Sequence, residues 1–218
     1  MLGILKKLFS NIIKFWSHIY SYNTSIWLKK KWNNLYSQWL GNFIGSLGKN
    51  SRIYYPCKLW GGGQKRISIG NNTIIQSYCI LGCWEKYGED NFTPSIIIGD
   101  NCNIGEHAHL SSINKITIGN GLLTGRYVYI GDNSHGGFSP EESSIPPIYR
   151  KLKSKGPVAI GNNVWIGDKA SILGGVHVGD NVIIGANSVV TKDIPSNTIV
   201  AGVPAKIIKQ LEICQNQD

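Results

Sequence analysis

The chain has 218 residues, of which 42% are hydrophobic and 16% charged, a composition that excludes a disordered protein and allows a buried core. Its 26 glycines and 8 prolines lack the triplet period of collagen and favour a turn-rich repeat fold. The charge is divided unevenly: residues 1–66 hold eleven of the 22 Lys/Arg residues and no Asp or Glu, so the remainder, with all thirteen acids, carries a net −2. This asymmetry predicts an anionic partner for the N-terminal part. A membrane surface or a phosphorylated lipid carrier suits it better than nucleic acid, because no nucleic-acid-binding motif is present.

The first part of the chain, residues 1–46, reads as two helices. At 100° per residue, the apolar residues of 4–19 fill one half of a helix, and the polar residues, among them Lys6, Lys7 and Lys14, fill the other. We expect this helix either to lie on a membrane surface through residues 1–20, or to cap the end of the fold or contact another subunit. Asn23-Thr24-Ser25 predicts the cap of a second helix from about Ile26 to near Gly41, for which capping of the fold is favoured.

The cysteines predict a reducing compartment. They form no CxxC pair and no zinc spacing, and their odd number argues against a disulfide framework. The five are Cys57, Cys79, Cys83, Cys102 and Cys214. No stretch reaches the roughly 20 apolar residues needed to span a bilayer. We therefore expect a cytoplasmic protein, either free or at the inner membrane surface.

A six-residue period dominates the rest of the sequence. Aliphatic residues recur without a slip at Ile160, Ile166, Ile172, Val178, Ile184 and Val190. The same frame appears earlier at Ile98, Ile104, Leu110, Ile118, Thr124 and Ile130. Gly follows most of these anchors directly, and a small or branched residue stands four positions after each of the six later ones. A helix would need a period of 3.6, and glycines at this density would cost it about 1 kcal/mol each.

Six residues suffice for a short strand and a bend, so three such units close one triangular coil. The aliphatic anchors then point inward and stack on the anchors of the next coil, since no unit can bury its apolar face alone. This predicts an all-β solenoid over residues 47–209, preceded by the helical extension and followed by a tail at 210–218. Two stretches interrupt the frame: 83–94, which reads as a surface loop, and 136–156, a longer polar excursion that begins directly after His135.

The repeat resembles that of the hexapeptide-repeat acyltransferases, from about Gly48 to Lys209. The stretch that looks most like their acetyl-CoA-binding end is IGNNVWIGDKASILGGVHVGDNVIIGANSVVTKDIPSNTIVAGVPAKIIK. The resemblance implies a left-handed parallel β-helix of hexapeptide repeats and a homotrimer with active sites between subunits. It also implies acetyl transfer from acetyl-CoA, as a co-substrate without a metal, to a hydroxyl of a sugar or surface-glycan precursor.

In the resembled family, a histidine at the position of His135 lies at the acceptor hydroxyl and the CoA sulfur. An imidazole suits the role of general base because its ordinary pKa of about 6.5 leaves it able to take a proton near pH 7. No Cys or Ser is placed beside it as a covalent nucleophile, so direct transfer is expected. Asp132 and Asn133 either orient the ring or serve as bend residues of the repeat. His109 either lines the acceptor site or is an ordinary surface group.

The resemblance also carries residues of the CoA site to this chain. It places Asp168 and Ala186 along the pantetheine arm and Thr191 and Lys192 near the adenosine end. Lys206 and Lys209 match basic residues that meet the CoA phosphates. Trp165 is expected to flank the acyl or substrate pocket. Each of these assignments has a structural alternative. Asp168 and Ala186 also occupy ordinary positions of the repeat, and Lys209 could be a solvated charge at a helix end.

One departure concerns the acceptor. Galactoside-type relatives place an acceptor-contacting Asn in the coil before the catalytic one, where this chain has Gly105. The NSHG context of His135 and the Pro146-Pro147 pair look more like O-acetyltransferases of surface-polysaccharide synthesis. An N-acetyltransferase acting on an amino sugar or serine stays open.

Two further classes share the coil architecture. A γ-carbonic-anhydrase-like hydratase would need His107, His109 and His135 to converge on zinc, although the first two fall on a different corner from the third. A non-catalytic scaffold would need neither His135 nor the C-terminal lysines.

Overall fold

The computed structural model describes residues 2–137 and 139–211; Cys214 and most of the predicted tail lie outside this part. Three sheets of parallel strands run the length of the molecule, and each turn of the chain adds one strand to each sheet. Sheet A contains β1 (Ser46–Leu47), β4 (Ile67–Ile69), β9 (Ser95–Ile98), β12 (Lys115–Ile118), β17 (Val158–Ile160) and β20 (His177–Val178). Sheet B contains β2 (Arg52–Ile53), β5 (Ile74–Ile75), β10 (Asn103–Ile104), β13 (Leu123–Thr124), β18 (Trp165–Ile166), β21 (Ile183–Ile184), β23 (Thr198–Ala201) and the antiparallel β24 (Lys206–Gln210). Sheet C contains β3 (Lys58–Trp60), β6 (Ile80–Cys83), β11 (His109–Ser112), β14 (Tyr129–Gly131), β19 (Ser171–Ile172) and β22 (Val189–Val190).

The architecture is the three-sided solenoid that the repeat predicts, in the left-handed parallel form that the family resemblance implies. In sheet A the anchors Ile98, Ile118 and Ile160 stand directly opposite one another on successive strands, and the last pairs with Val178. All four are at most 3% exposed. The residues four positions later, such as Ala170 at 0%, are buried as well. The core is therefore a column of stacked aliphatic side chains between the three sheets.

The chain turns between sheets at three corners, which we name A–B, B–C and C–A. At the A–B corner the left-handed φ angles fall on Asn in all coils but one, as at Asn50 and Asn72, whose side chains hydrogen-bond at 3.1 Å. At the B–C corner the left-handed position is held by larger residues. There the His107 ring stacks between Tyr78 at 4.8 Å and Tyr127 at 4.5 Å, which gives this histidine a structural explanation.

Two helices precede the first coil: α1 (Leu2–Ile19) and α2 (Tyr22–Gly41). The predicted start of the second helix at Ile26 is wrong, because Ser21 is the N-cap and its hydroxyl accepts a hydrogen bond from the Thr24 N–H. The predicted end near Gly41 agrees with the structure. No helix within the described residues combines the length and apolarity needed to cross a membrane.

Helix α2 covers the free edge of the first coil. Its Ser37 hydroxyl accepts from the Ile53 N–H at 2.8 Å, and its Asn33 side chain accepts from the Tyr55 N–H at 3.1 Å. The Tyr36 hydroxyl donates to the Cys57 carbonyl at 2.8 Å and accepts from its N–H at 3.0 Å. These bonds satisfy the backbone groups on the outer side of the first coil, which a preceding coil would pair in the middle of the solenoid.

Two insertions leave the solenoid. The first spans 84–94, since Cys83 is a buried residue of β6, and forms a hairpin of β7 (Lys86–Tyr87) and β8 (Asp90–Asn91). The second begins earlier than predicted, because His135 itself belongs to a strand of the excursion. That strand, β15 (Asn133–His135), pairs antiparallel with β16 (Leu152–Ser154). Between them lie the short helix α3 (Pro140–Ser143) and a 3-10 turn at Pro147–Tyr149, and another 3-10 turn at Gln64–Arg66 precedes β4.

Candidate active site

Both insertions leave the β-helix at the C–A corner. The first insertion leaves two coils before the second, and the loops of the two insertions meet at this corner. The Lys151 ammonium lies 3.1 Å from an Asp90 carboxylate oxygen and ties the two loops together. A pocket of about 340 Å³ opens between them, lined by residues 87–90 and 148–151. A second pocket of about 440 Å³ lies between the hairpin and β16, with Phe92, Asn114 and Leu152 in its wall. Both volumes lie in the range of small-molecule sites.

His135 stands at this junction at the end of β15. Gly136 follows it with φ +74, and the Gly136 N–H donates to the Lys151 carbonyl at 2.8 Å, so the strand turns away directly after the histidine. A side chain at residue 136 would run into Arg150, which makes glycine the residue that this turn accepts. The imidazole is exposed, as a group that receives a substrate proton must be.

Tyr87 is the neighbour of the imidazole. Its hydroxyl oxygen lies 3.3 Å from His135 Nδ1, and the two rings meet edge to face with centroids 5.3 Å apart. The same hydroxyl donates its hydrogen to the Ile148 carbonyl at 2.8 Å. A phenol has one hydrogen, so towards Nδ1 the oxygen can only accept. This requires the neutral ring to carry its hydrogen on Nδ1 and leaves the Nε2 lone pair free to take a proton.

Asp132 and Asn133, predicted as orienting residues, make their contacts elsewhere. The Asp132 side chain is 0% exposed and accepts from the Ser112 hydroxyl at 2.6 Å and from the Ile113 N–H at 2.8 Å. The Asn133 amide donates to the Ser111 carbonyl at 2.9 Å. Among the described residues, none of these side-chain bonds reaches the His135 ring. Both residues hold the C–A corner of the adjoining coil, which agrees with their alternative reading as bend residues.

His109 lies on the outer surface of sheet C, in register with Tyr129, and their rings meet at 5.5 Å. Burial lowers the pKa of its imidazole, because the charged form loses solvation. Its Nε2 atom is buried without a hydrogen-bond partner in the described part of the chain. At Gly105 the next coil is so close that a side chain would strike the Gly125 carbonyl, so no Asn fits there.

The seven residues predicted for the CoA site are all exposed but lie in three places. Asp168 and Ala186 are neighbours on the B–C corner, where the Asn187 N–H donates to the Asp168 carbonyl at 2.8 Å. Lys206, the first residue of β24, lies near this corner because it pairs with Ala201 at the end of β23. One Asp168 oxygen already accepts from the Arg126 N–H at 2.9 Å. Trp165 and Lys209 occupy one row on the outer surface of sheet B, joined through Ile183 and Ile199. Thr191 and Lys192 follow β22 at the C–A corner.

In one chain, sheet C separates His135 from Asp168. Five residues of extended chain bridge the two corners, which corresponds to roughly 16 Å at about 3.3 Å per residue. The same width separates His107 from His135, so within one chain the three histidines of a hydratase site lie apart. Among residues 2–137 and 139–211, no group of three His, Cys, Asp or Glu side chains is close enough to hold a metal ion.

Tyr87 was missed by the sequence interpretation, which read 83–94 only as a surface loop. Two aromatic neighbours were missed as well. The ring of Trp84 lies 6.4 Å from that of Tyr87, and the ring of Trp60 lies 6.3 Å from that of Trp84. A signal was present in the repeat frame. Both insertions follow the anchor of a third strand, Leu81 in one case and Ile130 in the other, so both must leave at the same corner.

Comparisons with known proteins agree with the fold. The family described as bacterial transferase hexapeptide (six repeats) matches residues 157–192. The chain is 43% identical over 167 residues to Escherichia coli WbbJ, assigned to lipopolysaccharide biosynthesis as an O-acetyl transferase. The aligned region covers 74% of this chain and 80% of WbbJ. It is 36% identical to the galactoside O-acetyltransferase of the same species over 56% of this chain and 57% of that one.

Solved structures give the same picture. The N-acyltransferase AntD of Bacillus cereus, in complex with dTDP and 3-hydroxybutyryl-CoA, superposes with a TM-score of 0.64 at 25% identity, over 80% of this chain and 87% of that one. A maltose O-acetyltransferase from Clostridium difficile superposes with a TM-score of 0.54 at 27% identity, over 85% of this chain and 86% of that one.

Proposed function

Because the chain belongs to the hexapeptide-repeat acyltransferase family, we propose that it transfers an acetyl group from acetyl-CoA to a hydroxyl of a sugar or surface-glycan precursor, with His135 as the general base. The observation that carries this assignment is the position of the Tyr87 hydroxyl, which lies 3.3 Å from His135 Nδ1 and donates its hydrogen to the Ile148 carbonyl. This arrangement favours the tautomer in which the Nε2 lone pair of the exposed imidazole is free. The similarity to WbbJ, which extends over four fifths of that protein, supports a glycan acceptor.

His135 Nε2 takes the proton of the acceptor hydroxyl as the oxygen attacks the thioester carbonyl. The imidazolium then returns a proton to the departing sulfur, so the ring ends the cycle as it began. Acetyl-CoA supplies the activated acetyl group. The proton on Nδ1 stays on the ring throughout and remains hydrogen-bonded to the Tyr87 oxygen. We also propose His109 as an acceptor-site residue, a role that requires its Nε2, buried within one chain, to become accessible when the acceptor binds.

The exposed surface of the last coils is suited to CoA. Lys192, Lys206 and Lys209 offer three ammonium groups for the phosphates, and the corner at Asp168 and Ala186 presents backbone groups to the amides of the pantetheine arm. Since His135 lies across sheet C from this corner, we assign the complete site to the interface between subunits of a homotrimer. We place the enzyme in the cytoplasm.

The test is release of free CoA thiol from acetyl-CoA in the presence of sugars, nucleotide sugars and lipid-linked glycans. His135→Ala should lower the rate by about 100- to 10,000-fold, the usual contribution of a general base. His177→Ala is the matched control, because His177 is an exposed residue of a regular repeat and should leave the rate unchanged. Full activity in His135→Ala would exclude the proposed role.

An N-acyltransferase is the second candidate, favoured by the likeness to AntD. The same assay separates the two. Turnover of an amino sugar that exceeds turnover of its hydroxyl counterpart would replace the O-acetyl assignment.

A further inference from the structure

Helix α1 carries an apolar row that no residue of 2–137 or 139–211 buries. None of its side chains is buried, and those of Phe9, Ile13 and Trp16 are 62%, 66% and 60% exposed. Its other large apolar side chains are also 45–73% exposed: Leu2, Ile4, Leu5, Leu8, Ile12, Phe15 and Ile19. An uncovered apolar row of this length on a helix marks an interaction surface.

Helix α2 carries a second row of the same kind. One side of this helix is used, with Asn33, Ser37 and Leu40 buried against the first coil. A different side presents Trp32 and Trp39, 55% and 56% exposed, with Leu35 between them at 63%. Below this row lies an apolar pocket of about 440 Å³ lined by Trp32, Leu35, Tyr36, Trp39 and Tyr55. The end of the solenoid thus carries an uncovered apolar surface of its own.

The charges on these helices identify what covers the rows. The two helices contain six lysines, and the chain has no acidic residue before Glu85. The lysines are Lys6, Lys7, Lys14, Lys29, Lys30 and Lys31. A second copy of the same helices would bring six more positive charges and no negative one. An anionic bilayer instead offers an apolar interior for Trp, Phe and Ile, and negative headgroups for the lysines beside them.

We propose that α1 and the exposed row of α2 bind the surface of an anionic lipid bilayer and hold the first coil of the β-helix against it. The helices lie in the headgroup layer and do not cross it. This binding does not depend on the acyl-transfer chemistry, so it stands or fails separately from the proposed function.

The experiment is sedimentation of the full-length protein with phosphatidylcholine vesicles that contain or lack phosphatidylglycerol. We expect binding that requires phosphatidylglycerol and weakens as salt is added. A lysine near an anionic surface contributes about fivefold to partitioning, so loss of three should lower it by about a hundredfold. The charge variant combines Lys6→Gln, Lys7→Gln and Lys14→Gln. Its matched control removes three exposed charges from later coils and the second insertion: Lys115→Gln, Lys155→Gln and Lys169→Gln.

A second variant tests the apolar row with Phe9→Gln, Ile13→Gln and Trp16→Gln. It should bind no vesicles and keep the wild-type thermal unfolding and molar mass, because none of these side chains is buried in the fold. The proposal is overturned if wild-type protein ignores phosphatidylglycerol, or if the control loses as much binding as the charge variant. It is also overturned if the apolar variant changes molar mass by light scattering yet still binds vesicles, since α1 would then contact another protein subunit.

Discussion

The Tyr87 hydroxyl is the part of the candidate site whose contribution can be worked out most directly. Tyr87→Phe keeps the ring that packs on His135 at 5.3 Å and removes the oxygen that accepts from Nδ1. Without that acceptor, the neutral imidazole can place its hydrogen on either nitrogen. The fraction of enzyme with a free Nε2 lone pair then falls, although substrate binding is untouched.

The expected size of the effect follows from the geometry. A hydrogen bond contributes about 0.5–1.5 kcal/mol net, and the 3.3 Å separation at an exposed ring is longer than the mode of about 2.9 Å. We therefore expect a contribution of about 1 kcal/mol, or roughly a fivefold fall in kcat at unchanged KM for acetyl-CoA. This is far less than the loss expected for His135→Ala, because the base itself remains.

The measurement is steady-state CoA release together with imidazole 15N spectra, which report the tautomer of His135 directly. Tyr149→Phe is one control, since it removes a hydroxyl from the same loops at a residue that is 78% exposed. Asp90→Asn is the other, because it breaks the ion pair to Lys151 but spares the hydroxyl. An unchanged tautomer in Tyr87→Phe, or an equal loss of rate in Asp90→Asn, would refute the reasoning and point to loop docking instead.

Three further predictions concern buried groups. Asp132→Ala should lower the free energy of unfolding by about 3–5 kcal/mol in urea titrations, because the Ser112 hydroxyl and two backbone N–H groups lose their buried acceptor. Burial lowers the pKa of His109, so the free energy of unfolding should fall as the pH drops below 6.5, where the unfolded ring gains a proton first, and His109→Gln should remove this part. Burial raises the pKa of Cys79 and Cys83 to about 12, so these thiols should stay unreactive towards Ellman's reagent near pH 8 until the protein is denatured.

Each of these has a control. Asp193→Ala removes one exposed hydrogen bond, to the His177 N–H, and should cost less than about 1 kcal/mol; an equal loss from both aspartates would contradict the structural role of Asp132. For His109, the control is His177→Gln, in which the free energy of unfolding should still fall below pH 6.5. If this fall also persisted in His109→Gln, it would belong to another titrating group. The thiol count should be made in Cys214→Ser, and fast reaction in that native protein would contradict the burial.

The amino-acid sequence by itself determines the solenoid. Ile160, Ile166 and Ile172 are spaced so that a strand and a bend fit between them, and each anchor finds its partner one coil away. Such pairing is set by the local period, so the buried positions and the three sheets follow from counting. The start of α2 was misjudged because Ser21 and Asn23 are both good cap residues. The structure decides for Ser21, which has an extended backbone and accepts a hydrogen bond from the Thr24 N–H at 3.2 Å.

Only the tertiary structure brings the candidate site together. Tyr87 and His135 are 48 residues apart in insertions that have no period, and they meet because both insertions leave at one corner of the β-helix. Asp132 looked like a partner of His135 from its place in the chain, yet the strand turns its carboxylate into the core and the histidine outward. That two residues are close in the sequence does not specify where either side chain points. The direction of a bend residue's side chain depends on the coils stacked above and below it.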